Sequence, residues 1–210
     1  MRDLEMVTTL DRLVVINNNA LYNMTRSVVG STGREVLGDL IGKKYRGNYL
    51  LDNAYTPPSI VREPMSVHYG DDGDRERVRQ LYRTTNSLGG LGTTVVGMFH
   101  SQIYKEDEIR SHGLSESDIE FFIDEMGKLD RKDSAQLTLG VREKTYKNPG
   151  GTGKRIIQYP KKLRVLLRLE PRLEFDISIA AYKLTLDGRV REMRAIWNPN
   201  GKTNIIPFLD

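Results

Sequence analysis

Five polar side chains fall into three short patterns whose residue types could carry out hydrolytic chemistry. Glu35 lies in an apolar segment that contains two glycines, and His100 and Gln102 flank a serine directly after an apolar run. Ser115 and Asp118 stand three positions apart at the start of a predicted helix. Imidazole and carboxylate groups ligate metal ions, carboxylates accept protons, and hydroxyl groups stabilise oxyanions. These residues are therefore the first candidates for a functional site.

In their order and spacing, the three patterns resemble those of the JAB/MPN family, whose active members are the JAMM zinc metallopeptidases. That family has a glutamate in a Glu-Val-x-Gly-x-x-x-Gly strand, then His-Ser-His-Pro or His-Thr-His-Pro at a strand end, then Ser-x-x-Asp. The resemblance covers about residues 10–140. It implies that His100 and Asp118 ligate zinc, that Glu35 is the general base for the zinc-bound water, and that Ser115 assists the oxyanion.

Two features of this chain bear on the zinc that the resemblance implies. Gln102 stands where the family has its second histidine, and a neutral carboxamide oxygen is a much poorer zinc ligand than an imidazole. His112, in the loop before Ser115, could swing in and complete a His–His–Asp set. The resemblance therefore implies a zinc site that is weak or absent, with Gln102 or His112 as its remaining ligand.

The resemblance leads to two hypotheses for function. The first is a JAMM-fold pseudoenzyme with an impaired zinc site, which acts as a binding or scaffold module for a ubiquitin-like protein or a multi-subunit complex. The alternative is a zinc-dependent isopeptidase, a metallopeptidase that removes ubiquitin-like modifiers. Ser115 and Asp118 also have a structural interpretation, because a serine followed three positions later by a carboxylate is a helix-capping pattern.

Hydrophobic periodicity predicts the elements that must position these residues. Asparagines at 17–19 are candidate caps for a helix whose apolar residues recur as far as Val29. Strands are predicted at 13–16, 35–44, 49–55, 93–99, 137–141, 163–169 and 173–186, and two further helices at 74–88 and 115–128. A loop is predicted at 101–114, and a hairpin tip or flexible loop at 146–160.

This order of elements predicts an α+β domain built on one sheet. The resemblance implies that the sheet is the mixed β-sheet of the JAB/MPN fold, which is similar to the cytidine-deaminase fold, flanked by helices and followed by a strand-rich C-terminal extension. We expect a core at 1–141 and a basic hairpin or loop insertion at 142–162. The C-terminal strands at 163–210 are expected to complete or extend the same domain.

Positive charge is concentrated in one stretch of the chain. Residues 142–168 hold nine basic side chains and one acidic side chain, interleaved with tyrosines. Three interpretations stay open: a solvated surface, a site for an acidic protein partner, or a nucleic-acid site that contacts phosphates and stacks bases. The candidate nucleic-acid contacts are Lys144, Lys147, Lys154, Arg155, Lys161, Lys162 and Arg164.

Composition excludes several classes of protein. The chain has 210 residues, a formal net charge of +4 and no cysteine, which excludes disulfides, thiolate metal sites and a cysteine nucleophile. No apolar run approaches the roughly 18 residues of a membrane span, and the first residues lack the apolar stretch of a signal peptide. We therefore expect a cytoplasmic protein that does not bind membranes.

Overall fold

The computed structural model describes residues 12–31, 34–56, 60–63, 66–69, 93–104, 114–128 and 132–199, together with the single positions 73, 76 and 80. Within these ranges the chain forms eleven strands and two helices. The strands are β1 (Leu13–Asn17), β2 (Leu37–Tyr45), β3 (Asn48–Tyr55), β4 (Ile60–Glu63), β5 (Ser66–Tyr69), β6 (Thr94–Ile103), β7 (Asp133–Thr145), β8 (Gly153–Gln158), β9 (Leu163–Glu170), β10 (Leu173–Thr185) and β11 (Val190–Asn198). The helices are α1 (Asn18–Val29) and α2 (Glu116–Lys128).

Nine of the strands form one sheet that closes on itself. Their order is β11-β1-β3-β2-β6-β7-β10-β9-β8, and β11 also pairs with β10, so that seven strands form a closed barrel. The long strand β10 makes this possible, because its first half pairs with β9 and its last residues pair with β11. The hairpin of β8 and β9, which we call the β8–β9 wing, therefore branches off the barrel.

The barrel interior is filled by side chains that alternate along each strand, as the two-residue period of a β-strand requires. On β10, Phe175, Ile177 and Ile179 point inward and belong to the main core, whereas the positions between them are polar. Helix α1 packs its apolar face, which includes Leu21 and Met24, against this core. Its N-terminus is capped by an asparagine, as predicted from the sequence.

Helix α2 packs against the outer face of the barrel. It buries Phe122 and Met126 against Leu37 of β2, Met98 of β6 and Leu184 of β10 in a second, smaller hydrophobic cluster. The N-terminal end of α2 is thereby held beside the last residues of β6. Neither of the two described helices combines the length with the run of apolar residues that a membrane crossing requires.

The structure corrects the predicted fold class. Sequence patterns predict an α+β mixed sheet of JAB/MPN type flanked by helices, whereas the described chain is mostly strand and closes into a barrel with two helices. Strands extend well beyond the apolar runs that reveal them: the predicted strand 137–141 is thirteen residues long as β7, and β8 occupies part of a predicted loop. The predicted helix 74–88 lies largely outside the described residues.

Barrel closure depends on contacts that no local pattern reveals. β1 pairs in parallel with β11, although Leu13 and its partner Arg194 are far apart in the sequence. Because pairing of such distant strands is decided by the whole chain, an apolar run predicts a strand but not its neighbours. The error in fold class therefore arose from topology.

Candidate functional site

Three of the candidate residues meet on the outer face of the barrel, beneath the start of α2. His100 and Gln102 are two positions apart on β6 and so project to the same face. The Nε2 atom of His100 lies 3.5 Å from Oδ1 of Asp118, and Nε2 of Gln102 lies 3.2 Å from Nε2 of His100. Gln102 Nε2 also lies 3.5 Å from Oδ2 of Asp118. The imidazole, the amide and the carboxylate thus form one cluster.

Glu35 is held near this cluster by the backbone of its neighbour. The amide N–H of Val36 donates to Oγ of Ser101 over 2.8 Å, and the Ser101 N–H donates to the Val36 carbonyl over 2.8 Å. Ser101 lies between His100 and Gln102 and is fully buried, so this double link fixes residue 35 against the end of β6. The carboxylates of Glu35 and Asp118 also interact electrostatically, because the charge of Asp118 contributes to the raised pKa of Glu35.

Ser115 and Asp118 make the reciprocal contacts of a helix cap. The Ser115 N–H and hydroxyl donate to Oδ2 of Asp118 over 2.8 and 2.6 Å, and the Asp118 N–H donates to the Ser115 hydroxyl over 3.2 Å. These bonds satisfy backbone donors that the first helical turn leaves without partners. They also orient the carboxylate of Asp118 toward β6. Ser115 and Asp118 therefore have the geometry of the helix cap that their spacing suggested.

The orientation of the Gln102 amide is set by Tyr104, a residue that the sequence analysis missed. The Tyr104 hydroxyl donates a hydrogen bond to Oε1 of Gln102. The opposite end of the amide, its NH₂ group, is therefore directed at His100 and Asp118. Tyr104 could have been found from its spacing, since every second side chain of an extended chain projects to the same face, and positions 100, 102 and 104 follow this period.

His100 is buried and electrically neutral at neutral pH. Its exposed fraction is 4%, and its ring contacts that of Phe122 with centroids 5.4 Å apart. Burial lowers its pKa, although the negative charge of Asp118 acts to raise it. Because its Nε2 accepts from the Gln102 NH₂ group, the proton of the neutral ring resides on Nδ1. Nδ1 is buried and has no hydrogen-bond partner among the described residues.

Negative charge accumulates around the cluster. Burial, and secondarily Asp118, raises the pKa of Glu35. Burial also raises the pKa of the Tyr104 phenol, with further contributions from Asp118 and Glu35. A neutral imidazole and a carboxyl group of raised pKa are suited to proton transfer. However, the Ser115 hydroxyl bonds to the carboxylate of Asp118 rather than to the imidazole of His100, so the serine–histidine contact that activates a serine nucleophile is not formed.

The described residues do not fit the zinc site that the sequence predicts. His100 and Asp118 supply two strong donors, but the group that Gln102 presents to them is NH₂, a hydrogen-bond donor that cannot ligate a cation. No group of three or more histidine, aspartate and glutamate side chains within the described ranges could hold a metal ion. The other predicted ligand, His112, lies outside the described residues.

In the basic segment, one buried carboxylate organises three of the cations. Asp176 on β10 accepts from Arg142, Lys144 and Arg164 at N···O distances of 2.8, 2.7 and 2.6 Å. Two more basic side chains of the segment are also paired with acids. These pairs are Arg168 with Glu174 and Lys161 with Glu192.

Four basic side chains of the segment have no acidic partner among the described residues. They are Lys147, Lys154, Arg155 and Lys162. All four lie on β8 or in the turns on either side of it. The free positive charge is therefore concentrated on the β8–β9 wing rather than spread over residues 142–168.

An apolar groove of about 430 Å³ opens between α1 and the β8–β9 wing. Val165, Leu167 and Leu169 line it from β9, and α1 contributes Leu21, Tyr22 and Val29. Arg26 of α1 and Lys154 of β8 also line it, and none of its lining residues in the described part of the chain is acidic. Sequence reasoning missed the groove because it is formed by two segments more than a hundred residues apart.

Comparison with known proteins yields a likeness of fold alone. No protein-family model matches the chain, and no curated protein sequence is similar to it. Among solved structures, the solution structure of protein DSY2949 from Desulfitobacterium hafniense is similar with a TM-score of 0.51 and 13% sequence identity. The match covers 89% of this chain and 94% of that one.

These comparisons correct the family suggested by the sequence patterns. The barrel with its two described helices is not the helix-flanked JAB/MPN sheet, and its fold is similar to that of the Desulfitobacterium protein. The identification of the chain as a member of the JAB/MPN family, with the JAMM-like metalloprotease fold, is therefore wrong. The three sequence patterns that suggested the family are short, and residues of these types also occur at such positions for structural reasons, such as helix capping. The chain is similar in fold to the DSY2949 protein.

Proposed function

We propose that this chain is a non-catalytic protein-binding module. In this proposal, the groove between α1 and the β8–β9 wing receives an apolar segment of a partner protein that also carries acidic side chains. The observation on which the proposal depends is the groove itself, an apolar cleft with cations on both walls.

The groove has the surface character of a binding site. Tyr22 is 61% exposed and Leu169 is 48% exposed, although both are large side chains with mainly apolar surface; Tyr22 lines the cleft from α1 and Leu169 from β9. Contiguous apolar surface of this kind is uncommon on soluble proteins outside interaction sites. Its volume falls within the range of ligand pockets, about 300–1,000 Å³. Tyrosine is also among the residues enriched at interfaces.

Charge determines which partner fits the groove. Arg26 is exposed on one wall and Lys154 on the other, and neither has an acidic partner among the described residues. An acidic side chain of a bound segment would pair with either cation, whereas a basic segment would be repelled. A nucleic acid is less well matched, because five of the nine basic side chains in 142–168 are already held in ion pairs with acidic side chains.

In this proposal, the polar cluster on β6 has a structural role. Gln102 closes it by bonding to His100 and Asp118 on one side and to Tyr104 on the other. A hydrogen-bonded network of this kind, partly buried between β6 and α2, helps to specify how the helix docks. Its chemistry is therefore consistent with a structural device that holds α2.

A peptide selection tests this proposal. A displayed library of random linear peptides is selected on the purified protein, and the recovered peptides are assayed on two variants. One variant carries Tyr22→Ser with Leu169→Ser; the control carries Tyr45→Ser, because Tyr45 is similarly exposed at 48% but lies on β2, away from the groove.

Apolar peptides with aspartate or glutamate are expected, with binding lost in the double variant and retained in the control. Failure to recover any peptide, a basic consensus, or equal binding to the double variant would each overturn the proposal.

A further inference from the structure

We infer that the partner segment binds as an extended strand that adds, antiparallel, to the free edge of β8. This inference rests on the proposed function and specifies how the partner is recognised. It combines three observations: the position of β8 in the sheet, the charge along it, and the alternation of its side chains.

β8 is the last strand of the nine-stranded sheet. It pairs with β9 from Gly153 to Gln158, and within the described ranges it has no strand on its other side. An edge strand presents a row of unpaired backbone N–H and C=O groups, which another extended chain can satisfy. Six residues of strand are about 20 Å long, enough for a short linear segment.

Charge along this edge selects an acidic strand. Lys154 and Arg155 are exposed on β8, and Lys147 and Lys162 lie in the segments that connect β8 to β7 and to β9. Basic side chains on an edge strand discourage pairing with a second copy of the same strand, because like charges would meet. The same charges attract a strand with carboxylates at the facing positions.

The order of residues on β8 predicts the order in the partner. Lys154 and Ile156 face Leu167 and Val165 on the groove side, whereas Arg155 and Ile157 project to the opposite face. The strand thus reads cation, cation, apolar, apolar. An antiparallel partner in register would therefore read apolar, apolar, acidic, acidic, with one acidic and one apolar side chain on each face.

Backbone N-methylation provides the test. A capped synthetic peptide with Val-Ile-Glu-Glu at its centre is compared with two versions that are N-methylated at alternate positions, in opposite registers. In an added strand, alternate N–H groups face β8, so one version loses its hydrogen bonds and the other keeps them. We expect binding to fall at least about tenfold, or 1.4 kcal/mol, for one register only.

Charge reversal on the protein supplies a second measurement. Arg155→Glu should weaken binding of the unmodified peptide about tenfold, the effect of 1.4 kcal/mol. The matched control, Arg191→Glu, makes the same change at an exposed position of β11 and should leave binding unchanged.

The outcomes separate this inference from the proposed function. Equal binding of both N-methylated peptides, or failure of the Val-Ile-Glu-Glu peptide while library peptides still bind the groove, would overturn the strand addition and leave the groove proposal standing. Self-association of the protein that Arg155→Glu abolishes would identify a second copy as the occupant and also overturn the inference. If no peptide of either source binds, the proposed function itself fails.

Discussion

Replacing Asp176 with asparagine tests whether the basic segment is part of the fold. The carboxylate is 6% exposed and accepts from three cations on β7 and β9 at 2.6–2.8 Å. Asparagine has nearly the same shape, so the substitution removes the negative charge with little change in packing. Arg142, Lys144 and Arg164 would then surround a neutral amide and repel one another.

The expected loss of stability follows from the burial of these groups. Removing one partner of a buried ion pair costs about 3–5 kcal/mol. The three cations here are 16, 24 and 32% exposed, so they can turn partly toward water, which reduces the cost. We therefore expect Asp176→Asn to lower the free energy of unfolding by about 3 kcal/mol at neutral pH.

The pH dependence of this loss has a definite sign. Burial acts to raise the pKa of Asp176, but hydrogen bonds from Arg164, Lys144 and Arg142 outweigh it and hold the pKa well below the ordinary 3.8. A depressed folded-state pKa contributes stability that is complete above the unfolded value and is lost as the pH falls toward the folded one. The difference between wild type and variant should therefore shrink below about pH 4.

Urea unfolding followed by the fluorescence of Trp197, the single tryptophan, measures the effect. Unfolding is compared at neutral pH and at about pH 3, below the ordinary aspartate pKa. Asp187→Asn is the control, because Asp187 pairs with Arg189 on the surface and should matter little. A variant as stable as wild type at neutral pH, or a deficit no smaller at about pH 3 than at neutral pH, would refute the assignment of Asp176 as the centre of the cluster.

Three further predictions concern the polar cluster. Gln102→His should create zinc binding, because the 3.5 Å between Nε2 of His100 and Oδ1 of Asp118 is close to the roughly 3.4 Å that separates two ligand atoms of a tetrahedral zinc ion. Near-stoichiometric metal after dialysis against zinc is expected, and a metal content no higher than in wild type would contradict the prediction. Because burial lowers the pKa of His100 in the folded state, His100 of the unfolded chain is protonated first as the pH falls. The free energy of unfolding should therefore decrease below pH 6.5. His100→Gln should make this decrease less steep, as measured by urea unfolding at several pH values. Ser115→Ala should lower the free energy of unfolding by about 1 kcal/mol in the same assay, and no change would mean that the cap is not formed in solution.

In the polar cluster, spacing along the chain was sufficient to predict which side chains lie together, but not how each of them is oriented. His100 and Gln102 had to share a face once they lay on one strand, and Ser115 and Asp118 had to meet once a helix began between them. The direction of the Gln102 amide could not be predicted in this way. It depends on Tyr104, whose hydroxyl selects which end of the amide faces His100.

Residue types and periodicity by themselves determined the local elements: the buried strands, the capped helix α1, and the concentration of basic residues at 142–168. Only the tertiary structure decided that β1 meets β11 to close a barrel, that Asp176 forms ion pairs with three of those basic residues, and that α1 and the β8–β9 wing enclose a groove. Local structure follows from the dihedral and burial preferences of neighbouring residues. Strand order and ion pairing depend on segments that are distant in the chain, whose meeting is selected by the packing of the whole core.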